Sequence, residues 1–256
     1  HSNKIESFAL NSFNDLRNLI NLNMNTNRIK MIRKRSFFAL NKLKILDIDS
    51  NSIEFIDEEG FYGLFDLNEL YLRWNKIKII EKRSFFGLNN LKIIKIWSNF
   101  IESFEGEGFH GLCSLTELDL SLNKIKTIKK RSFFGLEKLK KLILNTNLIE
   151  LIEEEGFFGL LCLNELDLRW NELKIIDKRT FSGLDNIKIL YLGSNLIKSV
   201  ESIQKGFYSL QNLTELYLSK NDLKIIKRRS FFELNSLKKL GLITNSIDSI
   251  EVEGFY

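Results

Sequence analysis

The stretch from Leu67 to Leu88 reads LNELYLRWNKIKIIEKRSFFGL, and nearly all of the chain is a variant of it. Aligning the units on Asn75 gives Asn3, Asn27, Asn51, Asn75, Asn99, Asn123, Asn147, Asn171, Asn195, Asn221 and Asn245. Eight successive intervals are 24 residues, one is 26 and the last is 24. The shared pattern is L-x-x-L-x-L-x-x-N-x-I-x-x-I followed by F-x-x-L, here Leu67, Leu70, Leu72, Asn75, Ile77, Ile80, Phe85 and Leu88. A fixed period of this kind describes an array that grows by stacking, each unit burying its apolar residues against the next. With no Pro and no linker to divide it, residues 1–256 are expected to form a single array. Neither end carries a polar or cysteine-rich cap, so the expectation is a fragment of a longer protein, or a protomer whose ends something else covers.

Within the unit, Leu70, Tyr71, Leu72 and Arg73 alternate with the period of two that marks a strand, leucines inward and Tyr71 and Arg73 outward. Ten such segments start at Leu19, Leu43, Leu67, Leu91, Leu115, Leu139, Leu163, Ile187, Leu213 and Leu237. Their parallel pairing would make one long sheet. Asn75 then falls in the turn leaving the strand, where its amide can both donate to and accept from the backbone of adjacent turns. The longer unit, SVESIQKGFY from Ser199 to Tyr208, reads as a bulge opposite the sheet, because loop insertions cost little.

The L-x-x-L-x-L-x-x-N core with a Phe near the end of each unit resembles the leucine-rich repeat family. Within that family it is similar to the 24-residue type of extracellular proteins such as Toll-like receptor ectodomains, Slit-like proteins and small proteoglycans. The resemblance implies an α/β-type repeat solenoid: a curved horseshoe with a concave parallel sheet of about ten strands and an irregular or short-helical convex side. It also implies an extracellular or secreted location and a recognition or receptor role, innate immunity included. The proline common before the variable turn and the flanking cysteine caps are missing here.

The net charge of +5 raises the question of a polyanionic partner. The charge is patterned, however. Basic units such as EKRSFF at Glu81–Phe86 alternate with acidic ones such as DEEGFY at Asp57–Tyr62 and EEEGFF at Glu153–Phe158. Stacking at about 4.8 Å places Lys82 and Arg83 between Glu59 and Glu107, a ladder of opposite charges on one flank. Cys113 and Cys162 lie two units apart, beyond disulfide reach, and are expected to be free, partly buried thiols. A second aromatic column, Phe38, Tyr62, Phe86, Phe134, Phe158, Tyr208 and Phe232, is expected to stack between units on the convex flank.

No catalytic constellation, Gly-rich phosphate loop or zinc spacing occurs, and His110 occupies a position filled by Phe86 and Phe134 in adjacent units. Asp47 and Asp49 form an acidic pair, but a hard cation wants at least about six oxygens. The chain therefore reads as a non-enzyme without cofactor or metal. Asn212-Leu213-Thr214 is an N-glycosylation sequon. Variation concentrates at the outward strand positions, where Trp, Tyr and Arg, the residue types of binding hot spots, appear. The candidate ligand-binding residues are Tyr71, Arg73, Trp74, Lys95 and Trp97, with a second patch at Asp119, Asp167, Arg169, Trp170, Tyr191 and Tyr217. The expected partner is a protein or peptide on the concave face. An acidic glycan and self-association through ends or flanks are the alternatives, nucleic acid is disfavoured, and no stretch is long enough to span a membrane.

Overall fold

The computed structural model describes residues 3–9, 11–104, 106, 108–176, 179–198, 207, 209–231, 234–252 and 254. Each unit opens with a three-residue strand whose middle aliphatic side chain points inward and whose flanking residues point out. The strands Asn21–Asn23, Ile45–Asp47, Glu69–Tyr71, Ile93–Lys95, Glu117–Asp119, Lys141–Ile143, Glu165–Asp167, Ile189–Tyr191, Glu215–Tyr217 and Lys239–Gly241 pair in that order as one ten-stranded parallel sheet. Leu46 lies opposite Leu70, and Leu70 opposite Ile94. A slip of one residue would turn this apolar row to solvent, so burial holds the register. Across the longer unit Leu190 still faces Leu216. The insertion itself, apart from Phe207, lies outside the described residues.

The asparagines hold the turns that follow. Asn99 accepts the Ile77 N–H at 3.1 Å and donates to the Leu72 and Ile96 carbonyls at 2.9 and 3.0 Å. One amide thus satisfies its own turn and the turn before it, and the arrangement recurs at Asn51, Asn75, Asn123, Asn147 and Asn171. No buried side-chain nitrogen or oxygen among the described residues lacks a partner. The residue before each asparagine from Asn27 to Asn245 is left-handed, including Ser50 (φ 51°), Trp74 (φ 52°) and Trp170 (φ 56°). That conformation is uncommon for bulky residues, and here the asparagine bonds on either side hold it in place.

Behind the sheet, Phe37, Phe61, Phe85, Phe109, Phe133, Phe157, Phe181 and Phe207 form a buried stack. Successive rings are 5.9 to 6.3 Å apart, against about 4.8 Å between paired strands. The units therefore splay away from the sheet, which makes the sheet the concave side. The far side consists of turns and four two-stranded pairs; no helix occurs among the described residues, so the irregular form of the expected convex side is the one observed. Those pairs join neighbouring units two by two: Met31–Ile32 with Phe55–Ile56, Ile79–Ile80 with Ser103–Phe104, and Thr127–Ile128 with Leu151–Ile152.

The alternating charges meet on this flank. Glu59 is bonded by Lys34 (3.5 Å) and Arg35 (3.3 Å) from one side and by Arg83 (3.5 Å) from the other. Glu155 is bonded by Lys130 and Arg131, both at 3.3 Å, and Glu154 by Arg179. Glu107 lies outside the described residues. Phe38, Tyr62 and Phe86 stack at 6.2 Å, as do Phe134 and Phe158 at 6.5 Å, with His110 interrupting the column. Tyr208 and Phe232 are not described. Cys113 and Cys162 are free but exposed, which corrects the expectation of partial burial. Both occupy the polar turn before a strand, where the next unit carries Glu137 and Asn186 respectively.

Candidate functional site

The splay of the units presents three outward columns on the concave sheet. Two contain the residues singled out above. The third, at the strand entries, carries Glu69, Glu117, Lys141, Glu165, Glu215 and Lys239. It went unrecognised as part of the surface, although the period of two that placed Tyr71 outward also places Glu69 outward. Over the three columns eight carboxylates stand against five cations, a balance of −3 on a chain whose net charge is +5.

The first patch is built around Arg73. Its guanidinium carbon lies 5.2 Å from the Tyr71 ring centroid, 5.2 Å from Trp74 and 5.7 Å from Trp97. Trp74 and Trp97 meet edge to face at 4.4 Å. The left-handed backbone at Trp74 turns its ring back toward the sheet and leaves it 48% exposed. Arg73 is ion-paired with Asp49. Burial pushes the Asp49 carboxyl up and hydrogen bonds from Arg73 only partly reverse this, whereas the same bonds hold the Arg73 guanidinium above its usual value. The asymmetry follows from exposure, 3% for Asp49 and 30% for the Arg73 side chain. The Tyr71 hydroxyl donates to Glu69, and this bond, with burial, pushes its pKa up to about 12. Lys95 is ion-paired with Glu117.

The second patch centres on Arg169. Its Nε donates to both Asp167 carboxylate oxygens, at 2.9 and 3.1 Å, and its Nη2 to one at 2.6 Å. Its guanidinium lies 4.6 Å from the Tyr191 ring, which stacks on Tyr217 at 5.0 Å. Tyr217 donates to Glu215 at 2.6 Å, and Lys220 lies over Trp170 at 5.3 Å. Asp119 stands apart: it is in register with Lys95 on one side and Ile143 on the other. Its carboxylate accepts the Ser121 N–H at 3.0 Å and hydroxyl at 2.7 Å. Asp47 and Asp167 likewise accept the N–H two residues on, at 3.0 Å. These buried or half-buried aspartates close the strand-exit turn, the local bond for which Asp and Asn are suited.

The sequence profile described as Leucine rich repeat matches residues 1–53, 41–96, 89–149, 137–197 and 198–247. The chain belongs to the leucine-rich repeat family. A comparison with curated protein sequences finds no match. Among solved structures, TLR13 in complex with the single-stranded RNA ssRNA13 is 32% identical with a TM-score of 0.84, over 91% of this chain and 34% of that one. Drosophila Toll in complex with Spatzle is 25% identical with a TM-score of 0.72, over 95% of this chain and 36% of that one. The leucine-rich repeat domain of APL1B, at 21% identity and a TM-score of 0.76, shares the fold over 97% of this chain and 69% of its own. This chain thus spans about a third of the length of the TLR13 and Toll chains.

The TLR13 complex shows that this fold accommodates a nucleic acid in one relative, so the disfavouring of nucleic acid does not extend to the fold as a whole. In leucine-rich repeat terms, the conserved part of each unit supplies the inward side chains and the asparagine. Arg73, Trp97, Arg169, Tyr191 and Tyr217 lie at positions which the repeat leaves open.

Proposed function

We propose that this leucine-rich repeat array is a non-enzymatic recognition module that docks a protein or peptide on its concave sheet. The observation that carries the reading is the Arg73 cluster. A guanidinium held by Asp49 and lying against three aromatic rings forms a pre-ordered surface of hot-spot residue types. Side chains already fixed by one another lose little entropy on binding. Arg169, Tyr191 and Tyr217 repeat the arrangement further along the sheet. The likeness to Toll bound to Spatzle and to TLR13 bound to an RNA supports a recognition role, and with it the extracellular location that the repeat type implies. Assembly through charged flanks is the weaker reading, because Glu59, Glu154 and Glu155 are neutralised by cations of the same chain.

A dodecapeptide display library panned on the chain tests this. Enriched peptides are expected to lose about 30-fold or more in affinity on Tyr71→Ala with Trp97→Ala, the scale of about 2 kcal/mol for a hot spot. Phe134→Ala on the flank is expected to leave affinity unchanged. The reverse pattern would move the site off the concave face.

A further inference from the structure

A second polar surface lies at the edge where the chain enters the sheet. A groove of about 740 Å³ runs along the last five units there, lined by Lys140, Lys188, Lys238, Asn164, Asn212 and Thr214, with Cys162 at one end. No carboxylate and no aromatic ring lines it. The nearest strand carboxylates are already engaged, Glu165 by Lys141 and Glu215 by Lys239, both at 2.9 Å. Lys140, Lys188 and Lys238 form no ion pair among the described residues, so their charge is uncompensated. The concave columns next to it are instead balanced, Glu165, Asp167 and Glu215 standing against Lys141, Arg169 and Lys239.

The lysines occupy equivalent positions in every second unit, with Asn164 and Thr214 between them. Two strand steps separate successive ammonium groups by about 10 Å. Asn186 and Asn212 each hold a main-chain carbonyl of the preceding turn at 2.8 Å, which fixes the amide groups along the floor. We propose that this groove binds a linear acidic oligosaccharide, its sulfate or carboxylate groups on Lys140, Lys188 and Lys238 and its hydroxyls on the amides and hydroxyls between them. An oligosaccharide with acidic groups on every disaccharide presents charge at a similar interval. Single-stranded nucleic acid fits less well, because sequence-tolerant binding of its bases relies on stacked aromatic side chains, and the groove has none. The site is separate from the Arg73 and Arg169 clusters and does not depend on their role.

The probe is a size-defined, sulfated heparin hexasaccharide, with its desulfated counterpart and an oligouridylate of equal charge as comparisons. The sulfated probe is expected to bind and to slow maleimide labelling of Cys162 while leaving Cys113, two units away, at its original rate. Lys140→Gln with Lys188→Gln and Lys238→Gln is expected to weaken binding about tenfold or more, by the sum of three exposed charge contacts. Circular dichroism confirms that the variant is folded, and Tyr71→Ala with Trp97→Ala is expected to bind the probe normally. Undiminished binding by the triple variant, equal slowing at both cysteines, or equal affinity for the oligouridylate would each overturn the proposal.

Discussion

A single asparagine illustrates how much of this fold rests on one residue per unit. Asn99 lies 5% exposed and bonds two successive turns through one acceptor and one Nδ2 group. Asn99→Ala strands the Ile77 N–H and two carbonyls in the interior, and a buried unsatisfied polar group costs about 1 to 3 kcal/mol. A loss of about 3 kcal/mol is expected in urea denaturation, whereas Lys124→Ala on the exposed face of the next unit should cost under about 0.5 kcal/mol. Similar losses for the two would contradict the ladder. The same scale separates display from structure on the concave face. Asp119 and Asp167 stand among Lys95, Ile143 and Tyr191 along one column and look like variable surface residues in the sequence. Their carboxylates instead close the turn two residues on, a bond that only the folded geometry reveals.

At the scale of the element, the alternation of basic and acidic units becomes a mechanical pairing. The two-residue strands on the back join units in twos, and the glutamates of an acidic unit are bonded by cations of both neighbours. Lys130 and Arg131 hold Glu155 below the usual glutamate range, against its burial, and burial at Glu59 is likewise outweighed by Lys34 and Arg35. A carboxylate whose pKa falls on folding stabilises the fold above its unfolded value of about 4.3 and loses that contribution as pH falls through the folded value. Melting temperature is therefore expected to drop between pH 5 and pH 3, the span around that value, and Glu59→Gln with Glu155→Gln should flatten the drop. An unchanged pH profile in that variant would mean that the ladder sets spacing without contributing stability. The charge pattern was readable from residue order, because stacking places equivalent positions side by side. Which glutamate each arginine selects was not, since that depends on the left-handed turns at Arg35, Glu59 and Arg83.

At the scale of the molecule, the phenylalanine stack connects the array along its length. Phe133 touches Phe109 and Phe157 at 5.9 Å and is fully buried. Phe133→Ala is expected to cost about 3 to 5 kcal/mol. In an array whose units contact only their neighbours, a defect at the middle weakens the coupling between halves. Far-UV circular dichroism and fluorescence of Trp74, Trp97 and Trp170 should then cease to report one coincident transition. Coincident curves with a single lowered midpoint would show that the sheet alone carries the coupling.

The period, the inward leucines, the asparagine column and the number of strands were determined by the amino-acid sequence alone, because repetition forces equivalent residues into equivalent environments. The sequence also placed Tyr71, Arg73, Trp97 and Arg169 on the exposed side of their strands. Only the tertiary structure decided which of those residues meet. Trp74 joins the Arg73 cluster through a left-handed turn, Asp119 leaves the second patch because Ile143 stands between, and Lys140, Lys188 and Lys238 come to line one groove. Residues a whole repeat or more apart become neighbours only when units stack, and the contacts they then make depend on backbone turns that a repeat pattern does not encode.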